Sequence, residues 1–446
     1  MPRLCFALSL TVALSAVPAR AADLLQIYRD ALANDATYAS ARATRDAGLE
    51  SLPQGLAQIL PTVSATAFTQ YNDINISFRG AAPDSQRQGN SNGYTVTLTQ
   101  PVFNWQNIQV YKEAGFRAAQ AEATFGQATQ DLIVRVAQTY FDVLASQDSL
   151  AFIQGQKVAI SEQLAQAKRN FEVGTTTITD THEAQARFDL ATSQEIAAQS
   201  DLEIKKRALQ QIVGKFPERL EPLRAGIELN PPTPNSMEDW ATAAANQGYP
   251  VRAQEAALEI GAREIERARA GHLPTLNIVG SAGVNSSSVS AASTNNTPSD
   301  STNRTIGLQL AIPLYAGGNV SSLVRQAFAN REKAQQDLES TRRTAALSAR
   351  QSYVGVTNGM AQVKALEAAL VSSRSALDSN KLGYEVGVRI NIDVLNAQQQ
   401  VFSTLRDLSR ARYDTILNGL RLKSASGTLG EADVEEVNRL LGSSSF

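Results

Sequence analysis

Two stretches of the chain share one pattern: FEVGTTTITDTHE at residues 171–183 and YEVGVRINIDVLN at residues 384–396. When they are aligned, Gly174 falls on Gly387 and Asp180 falls on Asp393, an offset of 213 positions. The same offset relates three further pairs: Pro61 and Pro274, Tyr140 and Tyr353, Gly214 and Gly427. An offset held over so much of the chain indicates two copies of one large structural unit and not a solenoid of short repeats.

The N-terminus has the layout of a secretory signal peptide. Arg3 precedes an apolar run from Leu4 to Val17, and the small-residue site Ala19-Arg20-Ala21 follows. We therefore predict a signal peptide at residues 1–21, and no later stretch approaches the roughly 20 apolar residues of a membrane-spanning helix. Because Cys5 is the only cysteine, the mature chain is expected to contain no disulfide and no thiolate ligand.

Composition argues against nucleic acid as a partner. The formal net charge is −2, and the 41 basic and 43 acidic residues are interspersed. A nucleic-acid-binding surface needs a concentrated basic face, so we predict no nucleic-acid partner.

The two halves repeat the same order of elements. Each opens with short helices, continues through two alternating strands, and ends with one very long helix and a shorter one. The predicted boundaries are a first repeat at 22–214 (hairpin 62–101, helices 104–172 and 178–213), a proline-rich connector at 215–235, a second repeat at 236–428 (hairpin 275–313, helices 318–385 and 391–424) and a C-terminal segment at 429–446.

The strands alternate apolar and polar residues. YTVTLT at 94–99 places Tyr94, Val96 and Leu98 on one face and threonines on the other, and 305–312 repeats this alternation. Polar segments at 72–93 and 285–303 are expected to form the tips of the two hairpins. A soluble sheet packed on a core remains the alternative for any one such hairpin.

The long helical segments contain no proline. Nearly 70 residues at 1.5 Å each make a rod of about 100 Å. A preceding helix of about 25 residues, ending at Leu60 or Leu273, could stack end to end with the helix at 178–213 or 391–424 beside that rod. Such rods must pack sideways on others, and one chain supplies too few of them to make a globule.

Four strands cannot close into a membrane barrel, because an open edge in lipid leaves backbone groups unpaired. Copies of the chain must therefore close it. Two chains would supply eight strands and three would supply twelve, and both counts are permitted for outer-membrane barrels.

Three segments carry a family resemblance: LLQIYRDALANDATYASA at 24–41, LQLAIPLYAGGNVSSLVRQA at 308–327, and the block from GYEVGVRINIDVLN through LGEADV at 383–434. Together with the duplication, they resemble the TolC family of outer-membrane export channels over essentially the whole mature chain. The resemblance implies a mainly α fold with a small β part. It implies a homotrimer, in which a 12-stranded outer-membrane β-barrel continues into a 12-helix periplasmic α-barrel, with the connector and the C-terminal segment in an equatorial belt.

The implied function is a channel-tunnel of a tripartite export system. It would conduct drugs or secreted proteins passively from the periplasm across the outer membrane, in contact with outer-membrane lipid. The implied partners are a periplasmic adaptor (membrane fusion) protein and, through it, an inner-membrane pump or ABC transporter. A secreted periplasmic coiled-coil adaptor or scaffold without a pore is the competing interpretation.

The resemblance also assigns roles at the turns. Gly174 and Gly387 would form the periplasmic tip. Thr179 and Asp180 would be held by Tyr384 and Arg389 on the neighbouring helix pair, which would close the gate through charge-assisted hydrogen bonds.

The matching pore constriction is Asp393, where three copies would make a ring that favours cations. The family often has a second acid three residues later, but this chain has Asn396, so weaker cation selectivity is expected. Ordinary structural roles remain open: the two glycines as helix C-caps, and Asp180 and Asp393 as helix N-caps.

No pattern indicates an enzyme. His182 and His272 are the only histidines, and the sequence has no HExxH, no GxSxG, no phosphate-binding loop and no cysteine pair. We predict no catalytic residue, no cofactor and no bound metal.

Overall fold

The structure of the protein is a computed structural model that describes residues 21–77, 79, 84–217, 219–224, 226–289 and 297–442. The predicted signal peptide, all but its last residue, and the tail at 443–446 lie outside the described residues. Within the described part, no helix combines the length and the apolar character needed to cross a membrane.

The elements follow the same order in both halves. The first half contains α1 (Leu24–Asn34), α2 (Ala36–Leu49), α3 (Ser51–Ala57), β1 (Thr62–Ile76), β2 (Ser85–Phe103), α4 (Trp105–Glu172) and α5 (Ile178–Val213). The second contains α6 (Met237–Gln247), α7 (Tyr249–Arg269), a 3-10 turn (Ala270–His272), β3 (Thr275–Ser287), β4 (Ser299–Ala311), α8 (Asn319–Glu385), α9 (Asn391–Ala425) and the added α10 (Glu431–Asn438).

The single helix predicted up to Leu60 is wrong in the first half. The structure divides it into α2 and α3, separated at Glu50. Pro53 explains the break, because proline has no backbone N–H and its ring clashes with the carbonyl four residues earlier. In the second half, Pro250 lies in the first turn of α7, where the missing N–H costs nothing.

The hairpin tips are shorter than predicted. Strand pairing continues to Ile76 opposite Ser85 and to Ser287 opposite Ser299, well into the segments expected to be polar tips. Cross-strand side-chain hydrogen bonds support this extension: Asn72 Nδ2 donates to Ser91 Oγ at 2.9 Å and Gln88 Nε2 to Asp73 Oδ2 at 2.9 Å. Residues 78, 80–83 and 290–296 of the predicted tips lie outside the described residues.

The four strands form one antiparallel sheet in the order β1-β2-β3-β4. The β2–β3 pairing joins the hairpins of the two halves, with a register shift between Pro101 and Phe103. The register aligns one apolar row across all four strands: Val63, Leu98, Gly280 and Ile306.

This alternation leaves one face of the sheet apolar and exposed. Val63 is 68% exposed and Ile306 is 84% exposed. The other face carries threonine and serine, and Ser281 Oγ and Thr305 Oγ1 lie 2.7 Å apart on it. The predicted division between an apolar and a polar face is therefore confirmed.

The described chain divides into two compact units, and both repeats contribute to each. The first unit comprises the described residues of Met1–Ala39, Thr129–Ala241 and Ser348–Phe446. The second comprises Ser40–Ala128 and Thr242–Leu347, which contain the sheet.

An aromatic group lies in the core of the first unit. Tyr140 is fully buried, contacts the Phe141 ring edge to face and donates from its hydroxyl to the Glu221 carbonyl at 2.7 Å. Burial raises the pKa of Tyr140 well above its usual value, so the hydroxyl stays protonated as a donor. Through this bond α4 holds the connector.

The neighbouring contact joins α4 to α9. Phe141 stacks on Tyr413, whose hydroxyl donates to Asp148 Oδ2 at 2.7 Å. Burial raises the pKa of Asp148, and the hydrogen bonds from Tyr413 and Ser409 offset part of that rise. The first unit therefore contains a carboxyl group that ionises less readily in the folded state than in water.

In the second unit, α3 packs closely on the N-terminal part of α4. A Cβ added to Gly55 would lie 2.8 Å from Ala114 Cβ, so only glycine permits this approach. Asn107 Nδ2 donates to the Gln58 carbonyl at 2.6 Å, and Gln100 Nε2 donates to the Ile59 carbonyl at 3.0 Å. These bonds satisfy carbonyl groups at the C-terminal end of α3.

Candidate functional site

The two glycine turns have the same geometry. Gly174 and Gly387 adopt φ of 78° and 80°. Behind them, Thr175 N–H donates to the Asn170 carbonyl and Val388 N–H donates to the Gly383 carbonyl, each at 2.8 Å. This hydrogen bond across six residues is the Schellman motif that ends a helix. The helix C-cap interpretation of both glycines is confirmed, and it is compatible with a role at a channel tip.

The N-cap interpretation of Asp180 and Asp393 is wrong. Thr177 is the N-cap of α5 and Ile390 is the N-cap of α9, with extended backbone at both. The two carboxylates occupy the third position of the first turn, where the helix dipole favours negative charge. Their side chains are thus free to serve in contacts away from the helix end.

Two of the predicted gate residues contact partners within the chain that differ from the predicted ones. Arg389 Nη1 lies 3.6 Å from Asp393 Oδ2, one helical turn away. The Tyr384 hydroxyl accepts a hydrogen bond from Asn170 Nδ2 at 3.3 Å, which joins α8 to α4. Thr179 is exposed at the start of α5, and its predicted contact with the neighbouring helix pair stays a prediction.

The predicted constriction residues face one groove. A groove of about 350 Å³ between α8 and α9 is lined by Arg389, Asp393 and Asn396, together with small and polar residues of α8. Asn396 is additionally bound by α5, because Arg187 Nη2 donates to Asn396 Oδ1 at 3.1 Å. The second guanidinium nitrogen, Nη1, donates to Gln399 Oε1 at 2.9 Å.

Three residues that the structure places at these contacts, Arg187, Gln399 and Asn170, belong to no motif in the sequence. Arg187 lies seven residues after Asp180, two turns along the same helix face, so helical spacing was the available signal. Asn170 lies four residues before Gly174, which places it in the turn that the glycine ends. Their partners are about 210 positions away in sequence, and no local pattern specifies such pairs.

The turns expose apolar side chains. Val173 is 73% exposed and Val388 is 79% exposed, and Phe171, Val386 and Ile390 are exposed beside them. Within the described residues, no group of three or more histidine, cysteine, aspartate or glutamate side chains could hold a metal ion. The chemistry of the turns is therefore that of polar contacts and apolar surface.

Paired long helices with glycine turns at one end, joined to hairpins that expose an apolar face, define the architecture of an outer-membrane export channel. The chain belongs to the outer membrane efflux protein family, whose sequence model matches residues 27–215 and again residues 242–428.

Individual proteins agree with this assignment. The chain is 34% identical to outer membrane protein TolC of Vibrio cholerae over 419 residues, which cover 94% of this chain and 93% of that protein. It is 31% identical to the alkaline protease secretion protein AprF of Pseudomonas aeruginosa, over 93% of this chain and 86% of the relative. The crystal structure of the Campylobacter jejuni CmeC outer membrane channel matches with a TM-score of 0.78 at 17% identity, covering 94% and 90% of the two chains; at this identity, it shows the fold.

The family resemblance found in the sequence is thus confirmed, as is the mainly α fold with a small β part. The protein is an export channel of the outer membrane that extends into the periplasm, and it is not an enzyme. The competing interpretation as a periplasmic adaptor without a pore is not supported.

Proposed function

We propose that three copies of this chain form a passive duct, with twelve strands in the outer membrane and twelve helical rods in the periplasm. The open sheet carries this proposal. Within the described residues, β1 and β4 each have one edge without a paired strand, and the apolar face between them is exposed. Both features are unfavourable in one isolated chain. Edge-to-edge pairing with further copies satisfies the backbone and turns the apolar face to lipid.

The helices of the first unit support the same assembly. Long helices with apolar residues on their outer faces bury them by packing on other helices. Ile196 and Ile204 of α5 are 61% and 66% exposed, and Val371 of α8 is 67% exposed. Sister chains would cover these positions in a closed ring of helices.

A gate at the periplasmic tip forms the second part of the proposal. Tyr384 and Arg389 hold Thr179 and Asp180 of the neighbouring helix pair, and Asp393 lines the constriction with Asn396. The half-exposed position of Asp180 and the exposed position of Arg389 leave both available to a second copy. These contacts are few and near water, so a partner protein can release them at modest cost.

The tip is also the proposed docking surface for a periplasmic adaptor. Val173 and its equivalent Val386, together with Val388, are exposed apolar side chains at the two turns. The adaptor connects the duct to an inner-membrane pump or ABC transporter, which supplies the energy. The cargo is a drug or a secreted protein; a relative named for alkaline protease secretion supports the second class.

Assembly and conductance test the proposal together. Protein purified from outer membranes in detergent is expected to have the mass of three chains by light scattering and to form pores in planar bilayers. A stable monomer without pore activity would refute the proposal.

The gate is tested separately. Replacing Tyr384 with Phe and Arg389 with Ser should raise single-channel conductance, because both replacements remove polar contacts at the tip. Unchanged conductance in a correctly assembled variant would show that these residues do not close the tip.

A further inference from the structure

One side chain of α5 supplies the polar contact between α5 and α9 near the tip. Arg187 on α5 donates through both terminal nitrogens to the amide oxygens of Asn396 and Gln399, which lie about one turn apart on α9. Within the described residues, these are the side-chain hydrogen bonds that join α5 to α9. The planar guanidinium suits two acceptors at this spacing, whereas a lysine ammonium is a point charge without that fork.

An apolar contact lies at the same level. Five buried residues form it, Ile160, Leu164, Ala184, Ala191 and Leu395, and the partly buried Phe188 of α5 packs against them. Leu395 is the contribution of α9. The fully buried residues of α5 are both alanine, which bury little area, so Phe188 is the large apolar side chain that α5 contributes.

Buried polar groups lie on both sides of Leu395. Asn391 is 2% exposed with neither amide atom hydrogen-bonded, and Gln398 is 3% exposed with an unpaired Oε1. Buried polar atoms without partners are destabilising. These amide atoms add no hydrogen bond between α9 and α5, so in the described residues the fork of Arg187 supplies the side-chain hydrogen bonds between the two helices.

We propose that Arg187 is a gating residue of this channel: its two hydrogen bonds to Asn396 and Gln399 latch the first turns of α9 to α5 in the closed state. The inference rests on the proposed function and adds a latch inside each chain to the contacts proposed between helix pairs. The latch holds the constriction segment directly, because Asn396 is one turn from Asp393.

The test is the conductance of Arg187→Gln, with Arg207→Gln as the matched control. Arg207 lies on the same helix, and its contacts with Gln210 and Glu203 are within that helix, so its replacement removes the same charge without touching α9. Because both hydrogen bonds of Arg187 are exposed to solvent, we expect Arg187→Gln to raise open-state occupancy about two- to thirteen-fold and Arg207→Gln to leave it at the native level. Arg187→Lys should behave largely like Arg187→Gln, since the charge is kept and the fork is lost.

The conductance results distinguish a failure of the proposed latch from a failure of the proposed channel function. If the native protein forms no pores, the proposed function fails and the latch with it. If the native protein conducts and Arg187→Gln conducts equally, the latch alone is overturned. An equal rise in Arg187→Gln and Arg207→Gln would assign the effect to charge and also overturn the latch.

Hydrogen exchange tests the latch without measuring conductance, and cross-linking tests it by restraining the two helices. Amide exchange at 391–400 should accelerate in Arg187→Gln and not in Arg207→Gln. In an Arg187→Cys, Gln399→Cys double variant, a short cleavable bifunctional thiol reagent should hold conductance at the closed level until the linker is cleaved. Cross-linked channels that open as freely as cleaved ones would overturn the proposal.

Discussion

A charge placed on the apolar face of the sheet tests whether that face lies against lipid. Leu98 is a suitable position on β2, because it lies between the aromatic residues Tyr94 and Phe103, and aromatic residues flank the apolar band of such barrels. Across the bulge in β2, Tyr94, Leu98 and Phe103 pair with Val284, Gly280 and Leu276, so each aromatic residue is four pairing positions from Leu98. At about 3.4 Å per position and a strand tilt of about 40°, each distance is about 10 Å along the membrane normal. Their sum of about 20 Å fits within the apolar band of about 25 Å, so Leu98 is expected near the midplane.

The expected cost of Leu98→Arg follows from this depth. Arginine on the lipid face at the midplane costs about 2–4 kcal/mol, which corresponds to roughly 30- to 1,000-fold in the folding equilibrium of each chain. Thr97→Arg is the matched control, because Thr97 is the adjacent residue on the opposite, polar face, between Ser64 and Ser281. A surface replacement there should stay within about 0.5 kcal/mol.

The assay is refolding from urea into lipid vesicles, with the folded fraction measured by protease resistance across a urea series. Protein concentration is kept fixed because assembly depends on it. We expect a lower urea midpoint for Leu98→Arg and a nearly native midpoint for Thr97→Arg. Equal midpoints for the two variants, or a larger loss for Thr97→Arg, would refute the assignment of the apolar face to lipid.

Three further predictions concern the helical part. Tyr140→Phe should destabilise the protein by about 1–3 kcal/mol in urea unfolding, since it removes the hydrogen bond to a buried carbonyl. Tyr353→Phe, at the equivalent but more exposed position of the other half, should cost under about 0.5 kcal/mol. Similar losses for the two variants would contradict the assigned burial. The pKa of Asp148 is raised in the folded state, so the folded state binds this proton more tightly than the unfolded state does. The contribution of Asp148 to stability therefore falls as pH rises from about 3.8 to the raised pKa. Asp148→Asn should abolish that decline when urea midpoints of unfolding are measured across a pH series, and parallel pH curves for the native protein and the variant would refute this prediction. Asp393→Ala should reduce the channel's preference for cations and Arg389→Ser should increase it, because each removes one member of a charge pair. The measurement is the reversal potential in a salt gradient. Unaltered reversal potentials would show that neither residue lies at the constriction.

Local patterns predicted most of the elements. The period of two around Leu98 predicted the strands and their apolar face, and the proline-free runs predicted α4 and α8 within one residue at each end. The glycine turns were also readable, since a glycine after a long helical pattern is typical of a C-cap. Pro53 breaks the helix between α2 and α3, although the residues around it keep a helical pattern that predicts one continuous helix.

The side-chain partners at the turns could not be predicted from the sequence. The resemblance predicted that Arg389 and Tyr384 contact Asp180 and Thr179 of the neighbouring helix pair, and this stays a prediction. It gave no indication of their partners within the chain, which are Asp393 and Asn170. A family resemblance assigns roles only to positions that match the motifs of the family. It gave no indication of Arg187, which the structure places against Asn396.

The sequence by itself determined the duplication, the order of helices and strands, and which face of each strand is apolar, because these depend on periodicity and on backbone preferences over a few residues. The tertiary structure alone decided which residues meet across the helices near the glycine turns. Arg187 and Asn396 are 209 positions apart, and their hydrogen bond depends on the packing and relative rotation of α5 and α9 to within about 1 Å. That packing brings together residues far apart in the sequence, and no local pattern specifies it.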